Sequence, residues 1–426
     1  MRDGDRIHDV LVVGGGPAGS TAATCLARGG LSVVVVEGEP FPRFHVGESL
    51  LPASIPLFER LGVLERIRRH GFLVKYGASF HDQESGLEYT FYFREGKPWP
   101  HWSFEVKRAE LDQILLDHAA SQPGVTLFQP ATVDKVAFDA EGVIAQVEDG
   151  DGGREVRARF LVDASGRDGF LASRHGRRRP IPGLGKVAAF AHFRGARRWT
   201  GREEGNIRIV TFEDGWFWWI PFAGDVTSVG CVMHARTVRG REGSIPELFE
   251  TMIARCPRVR DGLAGAERIT PVHTAANFSY MADPVVGDRF LCVGDAVQFV
   301  DPIFSAGVFI AMSSAEMAAA EICRAFRHNR FEAARFAGYE RRLRRAVRPF
   351  LRFIWKFYDP SFVEIFLKPR ETFGMLDSVT GILAGGAFRS MPWRMRLSLA
   401  VFFAIVRVNR WVRRRHGRSI ESRLEW

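Results

Sequence analysis

Residues 9–40 constrain the fold of this chain more than any other segment. They read DVLVVGGGPAGSTAATCLARGGLSVVVVEGEP. The apolar run at 9–13 predicts a buried strand, the glycine-rich turn predicts the start of a helix, and the run at 31–36 predicts a second buried strand. A strand, a helix and a parallel strand form the βαβ unit of doubly wound, Rossmann-like folds. We therefore predict an α/β fold that begins with such a unit.

The turn in this unit has the spacing G-x-G-x-x-G, with Gly14, Gly16 and Gly19 at the three positions. The first glycine allows a tight turn, the second lets the backbone approach a pyrophosphate, and the third lets helix and strand pack closely. Glu37 ends the second strand, where an acidic residue bonds the ribose hydroxyls. The motif alone is weak evidence, but its strand, helix and acidic residue all agree with it. We predict that these four residues, together with Ala18, bind a dinucleotide.

Two later segments bear on which dinucleotide is bound. Residues 290–311, FLCVGDAVQFVDPIFSAGVFIA, predict a strand that ends before Asp295, a turn at Pro302 and a helix from about Gly307. Residues 160–166, FLVDASG, predict another strand that ends in an aspartate. Each aspartate alone is also explained as a helix cap or a turn residue. In this order, the segments resemble the FAD-binding fold of flavin monooxygenases with the p-hydroxybenzoate hydroxylase architecture, which implies that Asp295, Pro302 and Gly307 contact FAD.

A run of aromatic residues, GWFWWIPFAG at 215–224, predicts a strand with two distinct faces. Trp216 and Trp218 share one face, Phe217 and Trp219 share the other, and a proline then ends the pairing. Core packing explains any one of these side chains. For the whole set, we expect one face to line a site.

Five separated motifs resemble the flavin-dependent halogenases, and especially their pyrrole- and phenol-acting members. The motifs are W-x-W-x-I-P at 216–221, PRFHVGESLLPA at 42–53, VKYGASF at 74–80, FEVKRAELDQILLDHA at 104–119 and FVDPIFSAGV at 299–308. The resemblance extends roughly from residue 9 to residue 358. Beyond residue 360 little is recognisable.

This resemblance implies that reduced FAD, oxygen and chloride or bromide together give hypohalous acid. It further implies that Trp216 and Trp218 form a barrier between flavin and substrate, which suppresses direct hydroxylation. Lys75 matches the catalytic lysine of the family, and an ordinary surface lysine is the alternative. The halide is expected against the backbone N–H groups of Ala306 and Gly307, at the start of a helix.

Three further residues follow from the same resemblance. Ser49 and Arg108 match cofactor-binding positions, although an ordinary surface arginine explains Arg108 equally well. Phe304 stands where tryptophan halogenases carry a glutamate that assists the arenium step. Because a phenyl ring accepts no proton, we expect an already activated substrate such as a phenol or a pyrrole, free or tethered to a carrier protein.

No second G-x-G-x-x-G follows residue 40, so we expect no NAD(P)H-binding domain and a separate flavin reductase as the source of reduced FAD. Two other functions remain open. One is a hydroxylase or a geranylgeranyl-reductase-like oxidoreductase of the same fold. The other is a non-enzymatic cationic binding protein, which would make the flavin motifs coincidental.

Composition limits the partners and the compartment. The net charge of +10 is concentrated in arginine clusters at 177–179, 341–348 and 407–418, without an RNA or zinc-finger motif, so we expect solvated faces and no nucleic-acid partner. The five cysteines show no CxxC and no nearby histidine pair, which predicts neither a metal site nor disulfides. With no apolar leader and no membrane-length run, we expect a cytoplasmic protein.

We predict an FAD-binding doubly wound core at 1–345, of the GR2 or p-hydroxybenzoate hydroxylase type, with an interleaved antiparallel β-sheet substrate domain. FAD-binding segments are expected at about 1–80, 100–170 and 285–345, and the substrate-side sheet at about 81–99 and 180–284. Residues 346–426 are expected to form a helical cap in which Gly381, Gly385 and Gly386 permit a mobile lid. The apolar run at 397–406 is expected to cap the site or pack on the core, with an interfacial membrane helix as the less favoured alternative.

Overall fold

The structure is a computed structural model, and it describes residues 6–96, 100–150, 152–240, 242–276, 279–369, 374–386 and 392–416. The end of the expected segment 81–99 and the expected cap residues 370–373, 387–391 and 417–426 lie outside this part.

The N-terminal βαβ unit forms the centre of a sheet with a parallel core. In spatial order this sheet contains the strands Val286–Gly287, Phe290–Cys292, Gly152–Asp163, Ile7–Val13, Val33–Val36 and Val125–Phe128. Ile7–Val13 pairs in parallel with both of its neighbours, and a hairpin of Ala131–Phe138 and Val143–Asp149 extends the strand Gly152–Asp163. Every residue of Val33–Val36 is buried, as expected for a strand covered on both faces.

Three helices belong to this layer: Pro17–Arg28, Arg108–Ala120 and Gly307–His328. The helix that follows the glycine turn packs against both of the others. Gly307–His328 begins at the predicted residue. The segments that the sequence assigns to cofactor binding therefore come together in one layer although they are far apart in the chain.

A second, mainly antiparallel sheet lies beside the first and carries the tryptophans. In spatial order it contains Glu267–Arg268, Lys186–Arg194, Val226–His234, Gly215–Pro221, Ile207–Phe212, Gly77–Asp82 and Glu88–Tyr92, with His273–Ala276 also paired to Lys186–Arg194. Ile207–Phe212 and Gly77–Asp82 pair in parallel. The sheet begins at Gly77, slightly earlier in the chain than the predicted substrate-side segment.

The remaining strands form two small sheets. One pairs Leu73–Lys75 with Ser103–Glu105, and the other contains Arg177–Pro180, Tyr280–Asp283 and Gln298–Phe299. Short helices connect the layers: Ser54–Leu61, Leu64–His70, Phe170–His175, Ala235–Arg239, Ile245–Arg255 and Pro257–Gly262. Among the described residues, 3-10 turns complete these connections at Phe93–Glu95, Gly166–Asp168, Gly201–Glu203, Gly294–Ala296 and Pro302–Phe304.

The C-terminal region is helical, with Ala333–Phe357, Pro360–Phe366, Met375–Leu383 and Trp393–Arg415. The first of these helices runs through residue 345, so the predicted boundary falls inside a helix. In the described part of the chain, no helix has both the length and the apolar character that crossing a bilayer requires. The expected fold, an FAD-type α/β core with a second sheet and a helical C-terminal region, is confirmed.

Two of the three glycines expected to permit a mobile lid, Gly381 and Gly385, lie in closely packed positions. Gly385 has φ +101°, and a Cβ there would overlap the side chain of Ala53. The backbone N–H of Ala53 also donates to the carbonyl oxygen of Ala384 at 3.0 Å. Gly381 lies inside the helix Met375–Leu383, where a Cβ would stand 3.1 Å from Met395. These contacts fasten the helices to the core.

Candidate functional site

An open cavity of about 490 Å³ lies at the carboxyl ends of the parallel strands and extends to the second sheet. Ligands bind at this edge in open α/β sheets. Eleven residues predicted for the site line it: Gly14, Gly16, Ala18, Glu37, Ser49, Arg108, Trp216, Trp218, Asp295, Pro302 and Gly307. Gly19, Lys75 and Ala306 lie behind this lining.

The glycine turn has the geometry that its three positions require. Gly14 has φ +100°, and a Cβ there would lie 2.5 Å from the carbonyl oxygen of Ala164. A Cβ on Gly19 would overlap the carbonyl oxygen of Gly14, so helix and strand approach as closely as glycine allows. At Gly16, the one atom within 4 Å of a Cβ is Nη2 of Arg43, at 3.4 Å. The Gly16 position therefore faces open space in the cavity.

The carboxylate of Glu37 already accepts two backbone hydrogen bonds. Its Oε2 accepts from the N–H of Gly15 at 2.6 Å, and its Oε1 accepts from the N–H of Glu39 at 2.9 Å. Each carboxylate oxygen can accept a second bond. Glu37 thus fixes the glycine turn and still presents lone pairs to a ribose.

Arg108 is buried, so its interpretation as an ordinary surface arginine is wrong. Its Nε and Nη2 donate to both carboxylate oxygens of Asp112, at 2.8 and 2.9 Å, and its Nη1 donates to the carbonyl oxygen of Val46 at 2.6 Å. Across the cavity, burial raises the pKa of Asp295 to about 6, while the nearby guanidinium of Arg108 opposes this shift. Arg108 is thereby held in place at the cavity wall, where Asp295 is also buried.

Three aspartates of the segments 160–166 and 290–311, Asp163, Asp295 and Asp301, have different roles. Asp163 accepts from the N–H groups of Ser165 and Leu171, at 3.1 and 2.7 Å, so it shapes the turn after its strand. Asp301 accepts from the N–H of Ile303 at 3.1 Å and caps a short turn. Of the three, Asp295 alone lines the cavity. The turn and cap interpretation holds for the other two.

The tryptophan strand separates its side chains as its alternation predicts. Trp216 and Trp218 line the cavity with ring centroids 6.1 Å apart, while Phe217 and Trp219 belong to a second core on the opposite face. Gly230, opposite Trp218 on the next strand, leaves room for its indole ring, which a Cβ would overlap. One face of this strand therefore forms a rigid aromatic wall of the cavity.

The indole N–H groups of this wall are both bonded. Trp218 Nε1 donates to Ser228 Oγ at 3.1 Å, and Trp216 Nε1 donates to Tyr358 Oη at 3.1 Å. The Tyr358 hydroxyl donates in turn to Oδ2 of Asp301 at 2.5 Å. Burial raises the pKa of Asp301 to about 6, and the hydrogen bond from Tyr358 opposes the rise. The wall is thereby tied to the C-terminal helices.

Lys75 is fully buried, so its interpretation as a surface lysine beside Tyr76 is wrong; its side chain is 1% exposed. Nζ donates to Ser49 Oγ at 2.6 Å and to the carbonyl oxygen of Leu50 at 3.2 Å. Burial lowers the pKa of Lys75, and the Glu105 carboxylate, 3.9 Å from Nζ, opposes this change. Because Ser49 lines the cavity, one hydroxyl group stands between the ammonium and the cavity.

Two buried acidic residues near Lys75 were not anticipated from the sequence. Burial raises the pKa of Glu105 to about 8, opposed by the ammonium of Lys75. Glu48 pairs with His192, with 2.7 Å between Oε1 and Nε2. Both acids lie inside motifs quoted above. The hydrophobic periodicity of those motifs predicts only that each acid lies near a strand and does not predict that it is buried. His192, on a distant strand, carries no sequence signal.

Phe304 lies in a cluster of aromatic rings instead of at an open position. Its ring centroid is 5.6 Å from that of Phe357 and 6.4 Å from that of Phe366, both on C-terminal helices, and 6.3 Å from that of Phe80. The residue that the resemblance places on the substrate side is thus surrounded by apolar rings. The described residues place no carboxylate among these ring contacts.

Ala306 and Gly307 begin the 22-residue helix Gly307–His328, and Ser305 before them has φ 55°. Within the described chain, their backbone N–H groups have no hydrogen-bond partner. A Cβ on Gly307 would have no atom within 4 Å, so this position faces the cavity as Gly16 does. Unpaired N–H groups and the helix dipole together favour an anion here.

The lining of the cavity fits FAD. Open space beside Gly16 suits a pyrophosphate, and four arginines supply positive charge: Arg43, Arg108, Arg167 and Arg174. Glu37 suits a ribose at one end, and the tryptophan face offers an apolar surface for a flavin ring at the other. Arg43 and His45 also line the cavity and were not assigned from the sequence, although they belong to the motif that contains Ser49. Burial lowers the pKa of His45 to about 4, so its imidazole is neutral at pH 7.

Comparisons with known proteins agree with this geometry. The FAD binding domain family model matches residues 8–352. The chain is 33% identical over 422 residues to the 1H-pyrrole-2-carbonyl-[peptidyl-carrier protein] chlorinase of Pseudomonas fluorescens, covering 93% of this chain and 94% of that protein. It is 36% identical to the tryptophan 2-halogenase of Chondromyces crocatus, covering 74% of this chain and 60% of that longer protein.

Solved structures show the same relationship. The flavin-dependent brominase Bmp2 has a TM-score of 0.83 at 28% identity, with 95% of this chain and all of that chain (100%) covered. The myxobacterial chondrochloren halogenase CndH has a TM-score of 0.79 at 30% identity, with 93% and 97% covered. These relatives favour neither a hydroxylase nor a reductase. The chain therefore belongs to the flavin-dependent halogenases, enzymes that use FAD and a halide to halogenate aromatic compounds.

Proposed function

We propose that this halogenase acts on a phenol or a pyrrole and that Lys75 presents hypohalous acid to it. The observation that carries the proposal is the position of the ammonium, which is buried and one serine hydroxyl away from the cavity. Ser49 and Leu50 accept from two of its three N–H donors. Within the described residues Nζ forms no further hydrogen bond, and the Glu105 carboxyl lies 3.9 Å away. The third donor is available to the oxidant.

The cofactor is held by the residues that line the cavity, from the glycine turn at Gly16 to Asp295 and Gly307. When bound, reduced FAD would supply two electrons and two protons, with which oxygen, a halide and one further proton give hypohalous acid and water. No second dinucleotide motif follows residue 40, so a separate flavin reductase supplies the reduced cofactor.

The halide binds against the N–H groups of Ala306 and Gly307. These groups have no partner within the described chain, and they lie at the positive end of a 22-residue helix. Chloride and bromide are both small enough for this position, since Gly307 adds no side chain. The anion is thereby held at the cavity edge where the oxidant forms.

Trp216 and Trp218 keep substrate away from the flavin. Both indoles are buried and hydrogen-bonded, so the wall stays closed on the time-average. Direct oxygen transfer to an aromatic ring is excluded by this wall, whereas hypohalous acid is small enough to pass Ser49 and reach Lys75. Halogenation is then favoured over hydroxylation.

Phe304 sets the substrate class. Its surroundings are aromatic rings, and among the residues that the structure describes no acid takes part in these contacts, where it could take the proton from an arenium ion. The substrate must stabilise that ion through its own hydroxyl or ring nitrogen. The relative from Pseudomonas fluorescens is named for a pyrrole-2-carbonyl group on a peptidyl carrier protein, so carrier-tethered pyrroles belong in the proposal.

The test is a substrate panel with reduced FAD, oxygen and chloride or bromide. Phenols, pyrroles, a pyrrolyl-carrier protein and free tryptophan are compared at equal concentrations, and products are read by mass. We expect halide-dependent mass gain with phenols or pyrroles and none with tryptophan. Halide-independent mass gain would indicate a hydroxylase, and turnover of tryptophan as fast as the best phenol would show that another residue replaces the missing acid.

A further inference from the structure

The helix Trp393–Arg415 exposes a continuous apolar stripe. Trp393 is 69% exposed, Leu397 58%, Val408 61% and Trp411 53%. At 100° per residue these four side chains share one face, with Ala404 at its centre, and the two tryptophans stand roughly 27 Å apart along the axis. A stripe of this length on one helix is unusual for a surface without a partner.

The same helix is strongly basic. Residues 392–416 contain no aspartate or glutamate and seven arginines: Arg394, Arg396, Arg407, Arg410, Arg413, Arg414 and Arg415. Arg396, Arg407 and Arg414 are exposed and lie along one flank of the stripe. Such a helix face has an apolar centre and a cationic edge. It complements a partner that has an anionic outer layer and an apolar layer below it.

The opposite face of the helix is fixed to the protein. Phe402, Phe403 and Val406 are buried, and Arg413 pairs with Glu364 at 2.7 Å. Asn409 also donates to the carbonyl oxygen of Ser361 at 3.0 Å. The helix therefore lies along the surface with its stripe directed outward, and it does not need to leave the protein to meet a partner.

We propose that this face binds the surface of an anionic phospholipid bilayer, with the helix lying in the interface. Tryptophan and leucine on one side and arginine at the edge are the composition of interfacial helices. Tryptophans at both ends match the headgroup level, where an indole places its ring in an apolar layer and its N–H in a polar one. This proposal concerns where the enzyme is located and does not depend on its substrate.

Two other occupants fit less well. A second copy of the chain would bring the arginines of one helix against those of the other, with no acidic residue in 392–416 to pair them. An acidic carrier protein would satisfy the arginines, but it would also need an exposed apolar surface of roughly 27 Å between its charges to cover the stripe. A bilayer covers the whole stripe and neutralises its flank.

The experiment is co-sedimentation of the full chain, loaded with FAD, with vesicles. One set contains phosphatidylcholine and phosphatidylglycerol, and the other contains phosphatidylcholine alone. We expect binding to the anionic vesicles that weakens at high salt, and little binding to the neutral ones. Halogenation is not measured, so failure of the substrate proposal leaves this test unaffected.

Two variants and a matched control separate the electrostatic contribution to vesicle binding from the apolar contribution. Replacing Arg396, Arg407 and Arg414 with glutamine is expected to lower the partition coefficient about 100-fold. Replacing Leu397 and Val408 with serine is expected to lower it at least about tenfold. The control removes three exposed arginines elsewhere, Arg177, Arg202 and Arg341, and changes net charge by the same amount. Retained FAD binding shows that each variant is folded.

Three results would overturn the proposal. The first is no binding of the full chain to anionic vesicles. The second is equal loss in the control and in the helix variants, which would mean that net charge alone acts. The third is a dimer, or a complex with a carrier protein, that the serine variant abolishes while vesicle binding persists.

Discussion

The site has two halves, the cofactor cavity and the buried region around Lys75 behind its lining, and they are built in different ways. The cofactor half is open, and its shape comes from backbone: Gly14, Gly16 and Gly307 provide turns and space. The other half is buried, and its shape comes from side chains that meet across long distances in sequence, such as Glu48 with His192, 144 positions away. The first half should fail when space is filled, and the second when a buried polar contact is removed.

The strongest test of this difference is Lys75→Ala. We expect halogenation to fall roughly 10²–10⁴-fold, the usual cost of losing a positioned proton donor, while FAD binding and oxidation of reduced FAD continue. Halogenated product and oxygen consumption are measured in parallel. Lys107→Ala, on an exposed lysine, is the control. Substantial halogenation by the alanine variant would refute the role proposed for Lys75.

The complementary test adds a side chain to the open cofactor half of the site. Gly16→Val places a branched side chain in the space beside the glycine turn, and overpacking of about 1–3 kcal/mol corresponds to a loss of roughly 5–150-fold in FAD affinity. Flavin content and titration of the apoprotein measure this loss. Gly153→Val, at an exposed glycine with no atom within 4 Å of a Cβ, is the matched control. Unchanged flavin affinity in a folded Gly16→Val protein would contradict the cofactor assignment.

The sequence predicts the two halves unequally for the same physical reason. A tight turn and a close approach of the backbone to a ligand both require glycine at fixed spacing, so a short stretch of sequence is enough to predict Gly14, Gly16 and Gly19. The alternation of the tryptophan strand is a local pattern of the same kind. The contact between Lys75 and Glu105 depends on which strands pair, and that information is spread over the chain. The family resemblance, rather than periodicity, marked Lys75, and nothing local marked His192 or Tyr358.

Glu105→Gln tests the buried half through the pH dependence of the free energy of unfolding. Burial raises the pKa of Glu105 from 4.5 to about 8, so between these values the folded protein keeps a proton that the unfolded chain has released. The stability from this group is complete below pH 4.5 and is lost as pH rises through about 8. From pH 6 to pH 8, the wild type should lose up to about 1.4 kcal/mol per pH unit relative to the variant.

Thermal unfolding of both proteins at several pH values, with equal FAD loading, measures this difference. Lys75 faces Glu105 at 3.9 Å, and the nearby Glu48 further raises the pKa of Glu105. Glu110→Gln, at a half-exposed carboxylate, controls for the loss of an acidic residue. Parallel pH curves for wild type and Glu105→Gln would show that the buried carboxyl does not titrate in this range.

The smallest expected dependence on pH is at Tyr358, where the aromatic wall joins the C-terminal helices. Tyr358→Phe removes the hydrogen bond to Asp301, whose pKa burial raises to about 6, and removes the acceptor of the Trp216 N–H. Below pH 6 the lost bonds are those of a neutral carboxyl, each worth about 1 kcal/mol. Above pH 6 the variant leaves a buried carboxylate without its donor, at a cost of about 1.5–3 kcal/mol for that bond.

The direction in which the stability deficit of Tyr358→Phe changes with pH distinguishes a specific hydrogen bond from simple packing. The folded pKa of Asp301 lies above its unfolded value of 3.8, so its stability contribution is lost as pH rises through the folded pKa. Without the hydroxyl of Tyr358 that pKa rises further, and the stability deficit of the variant must widen by about 1 kcal/mol between pH 5 and pH 8. Unfolding midpoints at the two pH values measure the deficit, with Tyr76→Phe at an exposed ring as control. A deficit independent of pH would mean that Tyr358 acts only as a packed ring, and that the link from the wall to Asp301 contributes no electrostatic stabilisation.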